Sequence, residues 1–191
     1  MKYKIILASG SPRRKELLAG LGYEFEVKVL PGIDESYPEG LSGEEIAKHI
    51  SRCKAAPYRD TLKADELIIT ADTIVYLDGQ VLGKPKDEED ACRMLRNLSG
   101  KTHQVITGVT LLTSDRQYTF SSVSEVTFAQ LKEEEIKHYV SHYKPLDKAG
   151  AYGIQEWIGY IGVTRIEGSY FNVMGLPVQR LYTELQTFCN N

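Results

Sequence analysis

Apolar positions along this chain repeat with two different periods, and the changes of period mark out its elements. Ile5-Ile6-Leu7-Ala8 is an unbroken apolar run that stops at Ser9-Gly10-Ser11, after which Lys15-Glu16-Leu17-Leu18-Ala19-Gly20-Leu21 continues with helical spacing. That order predicts a buried strand, a small-residue turn and a helix. Ser11 stands at the N-cap and Pro12 at the first helical position, where its missing N–H costs nothing. Phe25-Glu26-Val27-Lys28-Val29 alternates as a half-buried strand and ends at Pro31-Gly32. Ser42-Gly43-Glu44-Glu45 has the capping-box signature, and the helix it opens turns Ile46, Ala47, Ile50 and Cys53 inward and runs to about Tyr58.

Residues 67–76 form a long apolar strand interrupted only by Thr70 and the pair Asp72-Thr73. Asp78-Gly79 signals a hairpin, returning through Val81-Leu82 to Gly83-Lys84-Pro85. Asp87 caps a helix with Ala91, Met94, Leu95 and Leu98 on one face, and Ser99-Gly100 stops it. Two long strands are expected over 102–113 and 117–128, then a helix over 132–143 with Ile136, Tyr139 and Val140 inward. Loop and strand are expected over 148–155, another strand over 158–166, and a last helix over about 177–188 burying Leu181 and Leu185. Strands and helices mix without strict βαβ alternation. The expected fold class is therefore α/β, a mixed, partly antiparallel sheet with flanking helices. No repeat, low-complexity tract or long linker divides the chain, so residues 1–191 read as a single domain.

Composition narrows the classes. With 191 residues, 42% hydrophobic and 26% charged, the chain has the make-up of a globular enzyme. A net charge of −3 supplies no global basic surface for nucleic acid, so any polyanion site must be local. No apolar run approaches a membrane span. Met1-Lys2-Tyr3-Lys4 leads straight into strand-like sequence, without the apolar region and cleavage site of a signal peptide. Cys53, Cys92 and Cys189 are odd in number and far apart, fitting neither a disulfide framework nor a zinc spacing, so the cytoplasm is the expected compartment. P-loop, G-x-G-x-x-G, H-E-x-x-H and G-x-S-x-G motifs are all missing.

Two places carry candidate chemistry. At the start of the first helix, backbone amides, the hydroxyls of Ser9 and Ser11, and the guanidinium groups of Arg13 and Arg14 converge. A helix dipole disfavours positive charge in its first turn, so two arginines there imply a compensating anion with several oxygens, such as a polyphosphate. A capped helix with solvated arginines is the other reading. Asp72 is the second place. Aspartate is depleted from strands, and a buried unpaired carboxylate costs several kcal/mol by typical estimates, so this one must end at a strand break, pair with a cation or bind metal. Satisfaction by local backbone amides is the structural alternative.

Other positions are ambiguous taken singly. Lys84 lies in the tight loop Gly83-Lys84-Pro85, Asp34 and Glu35 are loop acids, and Lys54 sits on a helix where a snorkelling lysine is the ordinary case. Ser99-Gly100-Lys101-Thr102-His103 could place a hydroxyl, an ammonium and an imidazole near a ligand or serve the fold alone. Gly150-Ala151-Tyr152-Gly153-Ile154-Gln155 lets a flat ligand approach the backbone, with a glutamine that can donate and accept at once. Ser169, or the helix start after Gly175-Leu176-Pro177, could touch phosphate.

Together, Ala8-Ser9-Gly10-Ser11-Pro12-Arg13-Arg14, Ala71-Asp72-Thr73, Gly83-Lys84-Pro85, Ser99-Gly100-Lys101-Thr102-His103, Lys148 to Gln155 and Gly168-Ser169-Tyr170 resemble the Maf family of nucleoside-triphosphate pyrophosphatases, in order and over almost the whole chain. The resemblance implies two lobes around a deep cleft, similar to the inosine-triphosphate pyrophosphatases. It also implies hydrolysis of a nucleoside triphosphate to monophosphate and pyrophosphate with a divalent metal, Mg²⁺ or Mn²⁺. Arg13, Thr73 and Gln155 match the group acting on dTTP and UTP, with modified pyrimidine triphosphates as further substrates, a role in clearing the nucleotide pool. Carried over, Asp72 is the general base, Glu35 and Asp72 lie at the metal, and Ser9, Arg13, Arg14, Lys54 and Lys84 surround the triphosphate. Arg13, Thr73 and Gln155 select the base. Glu156-Trp157-Ile158 departs from the usual pattern and bears on the rim of the base pocket. The expected partner is the nucleotide, with no nucleic acid or membrane, and a homodimer is open. The alternative is a non-catalytic nucleotide sensor or cell-division regulator, against which the retained carboxylate argues: a pure phosphate sensor gains nothing from one.

Overall fold

A computed structural model describes residues 3–190; Met1 and Lys2, read above as leading into the first strand, and Asn191 lie outside the described residues. The chain order is β1 (Lys4–Leu7), α1 (Pro12–Ala19), β2 (Phe25–Val27), α2 (Gly43–Ala55), a 3₁₀ turn (Ala56–Thr61), β3 (Glu66–Leu77), β4 (Gln80–Leu82) and α3 (Glu88–Leu98). It continues with β5 (Thr102–Leu112), β6 (Gln117–Phe128), α4 (Glu133–Tyr143), a 3₁₀ turn (Ala149–Ala151), α5 (Trp157–Gly162), β7 (Val163–Glu167), α6 (Tyr170–Met174) and α7 (Val178–Asn190). Seven strands form one sheet in the order β2-β1-β3-β5-β6-β7, with β4 on β3. β1 runs parallel to β2 and β3, whereas β4 is antiparallel to β3 and β7 to β6. This is the expected α/β fold with a mixed sheet.

Local chemistry explains most element ends. Ser11 Oγ accepts from Arg14 N at 3.4 Å, and Pro12 opens α1. Asp87 caps α3 by accepting from Asp90 N at 2.8 Å. At the hairpin, Asp78 (φ 51°) and Gly79 (φ 82°) both take the left-handed conformation that a two-residue turn of this type needs. At α2, half of the expected capping box forms: Ser42 Oγ accepts from Glu45 N at 3.5 Å, but Glu45 pairs with Lys48 at 2.5 Å.

Two expectations are corrected. The strand expected over 158–166 starts only at Val163; before it lies α5, with Ile158 and Gly162 buried four positions apart. Gly159 lies so near the preceding turn that a Cβ would come within 1.9 Å of Ile154 O. Two glycines in six residues hid the helical period. No strand forms over 148–155 either, because its amides go elsewhere: Gly150 N donates to Gly83 O at 3.0 Å and Gly153 N to Tyr139 Oη at 3.0 Å.

The chain divides into two compact units. The first comprises residues 1–73, 107–122 and 175–191; one of its apolar clusters gathers Ile6, Ala55, Tyr58, Ile68 and Leu112. The second comprises 74–106 and 123–174, and its core joins Leu95, Leu98, Val105, Val126, Tyr139, Tyr152 and Ile158.

Candidate active site

Asp72 stands in the middle of β3, a strand otherwise buried almost throughout, and is itself 8% exposed. The pairing it needs is with a cation. Lys54 Nζ donates to Asp72 Oδ1 at 2.6 Å and contacts Glu35 Oε1 at 3.1 Å, so one ammonium lies between two carboxylates. Register accounts for the meeting. Side chains two apart on a strand share a face, as Thr70 and Asp72 do, and side chains three apart on a helix share a face, as Ser51 and Lys54 do. Thr70 Oγ1 donates to Ser51 O at 2.7 Å, and Ser51 Oγ shares a hydrogen with Thr110 Oγ1 at 2.9 Å, all buried. Pinning that rung fixes the next, Lys54 on Asp72. Close approach of α2 requires Gly108 on β5, where a Cβ would fall 2.2 Å from Ala47 O.

Asp72 Oδ2 accepts from no described residue. One oxygen of the carboxylate is thus neutralised and the other is left for solvent or substrate.

Beyond Leu7, β1 no longer lines β3, and a side chain takes over. Ala8 N still donates to Ile69 O at 2.9 Å; at the next rung Arg14 Nη1 donates to Ala71 O at 2.8 Å. Arg14 Nη2 donates to Thr73 Oγ1 at 3.0 Å and its Nε to Gly175 O at 2.8 Å. This guanidinium therefore bonds both neighbours of Asp72, the Ala71 carbonyl and the Thr73 hydroxyl, as well as the Gly175 carbonyl, using three of its five N–H donors. Burial holds Arg14 below the usual arginine range, Asp72 and Glu35 pull it up, and Arg13 pushes it down, which gathers all four charges in one neighbourhood. Ser9 is buried, and its Oγ accepts from Ser11 N at 3.3 Å. The amides of Ser9 and Gly10 find no acceptor among the described residues, so the turn ahead of α1 keeps N–H groups for an anion.

Ser9, Arg13, Arg14, Glu35, Lys54, Asp72 and Thr73 all belong to the first unit, where Lys54 joins Glu35 to Asp72 and Arg14 binds Thr73. Thr73 is the least free of them: its hydroxyl bonds Arg14 and, at 2.9 Å, Thr107, and strand alternation turns it to the face opposite Asp72. Lys84 and Gln155 belong to the second unit. Lys84 is exposed in the loop after β4, and the Gln155 side-chain amide has no hydrogen-bond partner among the described residues.

The remaining sequence candidates serve the fold. His103 is buried, with Nε2 at 2.7 Å from Tyr152 Oη and edge-on packing against Phe128; burial pushes its imidazole down to about 4. Ser99 Oγ accepts from Leu131 N at 2.7 Å, Lys101 pairs with Asp78 at 3.1 Å, and Ser169 Oγ caps α6 at Asn172 N. Asp34 accepts from Ser36 N and Oγ. What sequence reasoning missed is the Ser51–Thr70 pin; the signal was polar residues at 70 and 72 on one face of an apolar strand.

Whether these residues suit a divalent ion follows from the donor set. Glu35 and Asp72 already converge on one cation, and both are hard oxygen donors of the kind that hold Mg²⁺ together with substrate phosphates. No group of three or more His, Cys, Asp and Glu side chains placed for a metal occurs among the described residues.

A strand-borne carboxylate beside a lysine and an anion-seeking helix start defines an α/β protein that handles phosphorylated ligands. The Maf-like protein family model matches residues 4–188, and the chain belongs to that family. It is 69% identical over 185 residues to a dTTP/UTP pyrophosphatase of Phocaeicola vulgatus, covering 97% of this chain and 96% of that protein. A dTTP/UTP pyrophosphatase of Bacteroides thetaiotaomicron is 61% identical with the same coverage. One of Porphyromonas gingivalis is 56% identical over 98% of this chain and 95% of its own. Among solved structures, a HAM1 protein from Coxiella burnetii covers 97% of this chain and 99% of its own at TM-score 0.49 and 15% identity, too distant a likeness to carry an argument. No helix among the described residues is long and apolar enough to cross a membrane.

Proposed function

We propose that this chain is a nucleoside-triphosphate pyrophosphatase that hydrolyses dTTP and UTP to the monophosphate and pyrophosphate, clearing the pyrimidine nucleotide pool in the cytoplasm. One observation carries the chemistry: a buried carboxylate with one oxygen on an ammonium and the other open. The relatives' names and the 69% identity support the substrate.

In this reading Asp72 Oδ2 accepts a proton from water as the water oxygen bonds to the α-phosphorus. The bond from that phosphorus to the oxygen bridging toward the β-phosphate breaks, and pyrophosphate leaves with the bond electrons. A positioned base of this kind contributes about 10²- to 10⁴-fold. Lys54 holds Asp72 Oδ1 in place. Arg14 holds the strand on either side of it and has two N–H groups left for phosphate. Ser9, Arg13, Lys54 and Lys84 supply the other phosphate donors, and fixed donors of this sort provide much of the rate in phosphoryl transfer. Glu35 and Asp72 would hold a divalent ion, Mg²⁺ or Mn²⁺, which supplies neutralisation of charge on the phosphate oxygens. Arg13, Thr73 and Gln155 select the base, Thr73 through its hold on Arg14 and Gln155 by direct contact.

Turnover of dTTP and UTP in ¹⁸O-labelled water with Mg²⁺ tests the proposal. The expected result is label in the monophosphate and unlabelled pyrophosphate. Release of orthophosphate and a diphosphate, or no turnover, would contradict it.

A further inference from the structure

Gln155 is flanked by two anchored residues. Ile154 is buried in the core of the second unit, and Glu156 enters a polar network absent from the reaction scheme. Glu156 Oε2 accepts from the Tyr139 hydroxyl, and Glu156 Oε1 contacts Lys148 Nζ at 3.1 Å. Tyr139, fully buried, in turn accepts from Gly153 N at 3.0 Å, while Glu156 N donates to Gly153 O at 3.0 Å. Lys148 is 8% exposed and completes its charge balance with Asp147 at 2.8 Å. Both carboxylate oxygens of Glu156 are therefore engaged, and the backbone from 153 to 156 is tied at each end.

The surroundings leave that backbone little choice. A Cβ at Gly153 would lie 2.8 Å from Glu156 Cδ and 3.1 Å from Lys148 Cε, so a side chain there would push on both members of the network. Gly150 and Ala151 both have positive φ, 68° and 60°, an uncommon conformation for the buried alanine. Gly150 N also ties this loop to Gly83 O, beside Lys84.

A fixed backbone matters to an amide reader. The thymine or uracil edge offers an acceptor at O4, whereas cytosine offers a donor at the same place. A glutamine amide with its Nε2 held at that position donates to O4 and meets a second donor in cytosine. The Gln155 amide has no hydrogen-bond partner among the described residues, so the backbone that carries it decides how it reaches the base edge. We propose that Glu156, Tyr139 and Lys148 form a brace that fixes the backbone at Gln155 and so the reach of its amide, making Glu156 and Tyr139 positioning residues for choosing uracil and thymine over cytosine. The inference rests on the reading of Gln155 as the base-contacting residue.

The test compares kcat/KM for dTTP and dCTP in the wild type, Gln155→Ala, Glu156→Gln and Tyr139→Phe. Gln155→Ala should abolish the preference. Each brace variant should lower it about tenfold, the worth of one hydrogen bond, with KM for dTTP rising more than kcat falls. The double variant should add little to either single one, since both break one network. A preference lost in Gln155→Ala but intact in folded Glu156→Gln and Tyr139→Phe overturns the brace alone. A preference intact in Gln155→Ala overturns the base-reading assignment and the brace with it. Should the brace variants fail to fold, NMR relaxation of the Gln155 backbone amide in the wild-type protein decides: an ordered backbone supports the brace, and rapid averaging overturns it.

Discussion

Two lysines of this chain each lie between two carboxylates, and the chemistry around them diverges. Lys54 holds Asp72 and Glu35 in the first unit; Lys148 holds Glu156 and Asp147 in the second. Burial does not separate them, since the side chains of Lys54 and Lys148 are 17% and 9% exposed. The partners' second oxygens do. Glu156 gives its second oxygen to Tyr139, whereas Asp72 keeps one without a protein donor. A carboxylate becomes available for proton transfer when its charge is compensated and its hydrogen-bonding capacity is not exhausted; when both are satisfied it becomes a fastener.

Removing each lysine sharpens that contrast most. Lys54→Met leaves Asp72, whose side chain is 12% exposed, without a donor among the described residues and should lower stability by about 3 to 5 kcal/mol. Lys148→Met should cost clearly less, because the Glu156 side chain is 20% exposed and keeps the Tyr139 hydroxyl. Urea denaturation of both variants checks the ordering, and equal losses would erase the distinction.

A smaller effect concerns pH. Burial pushes His103 down from 6.5 to about 4 in the folded protein. Between those values the unfolded chain takes up a proton at this position and the folded chain does not. Stability contributed here is therefore present above about pH 6.5 and is lost as pH falls toward 4, by on the order of 3 kcal/mol. His103→Leu should remove that part of the slope in unfolding midpoints measured at pH 7 and pH 4.5. An identical slope in the variant would place the titration elsewhere.

What the sequence shows and what it hides follow one physical division. Signals that act within a few residues were legible: the Ser11 and Asp87 caps, the Asp78-Gly79 turn, and the two long strands β5 and β6. So was the oddity of Asp72, because a carboxylate in an apolar strand demands a partner. The partner's identity was not legible, since Lys54 arrives from another element through the Ser51–Thr70 rung. Arg14 read as a cation aimed at phosphate, while its bonds to Ala71, Thr73 and Gly175 depend on where β1 stops and on a residue far along the chain. The helix α5 escaped because its glycines answer to packing, Gly159 against Ile154 and Gly162 against Leu131, rather than to a period.

The most direct measurement sets kcat for pyrophosphate release from dTTP in Asp72→Asn beside that of Glu156→Gln, with the melting temperature of each. The account predicts a loss of about 10²- to 10⁴-fold in Asp72→Asn with the fold retained, and only a small change of kcat in Glu156→Gln. A folded Asp72→Asn protein turning over dTTP near the wild-type rate, or equal losses in the two variants, would contradict it.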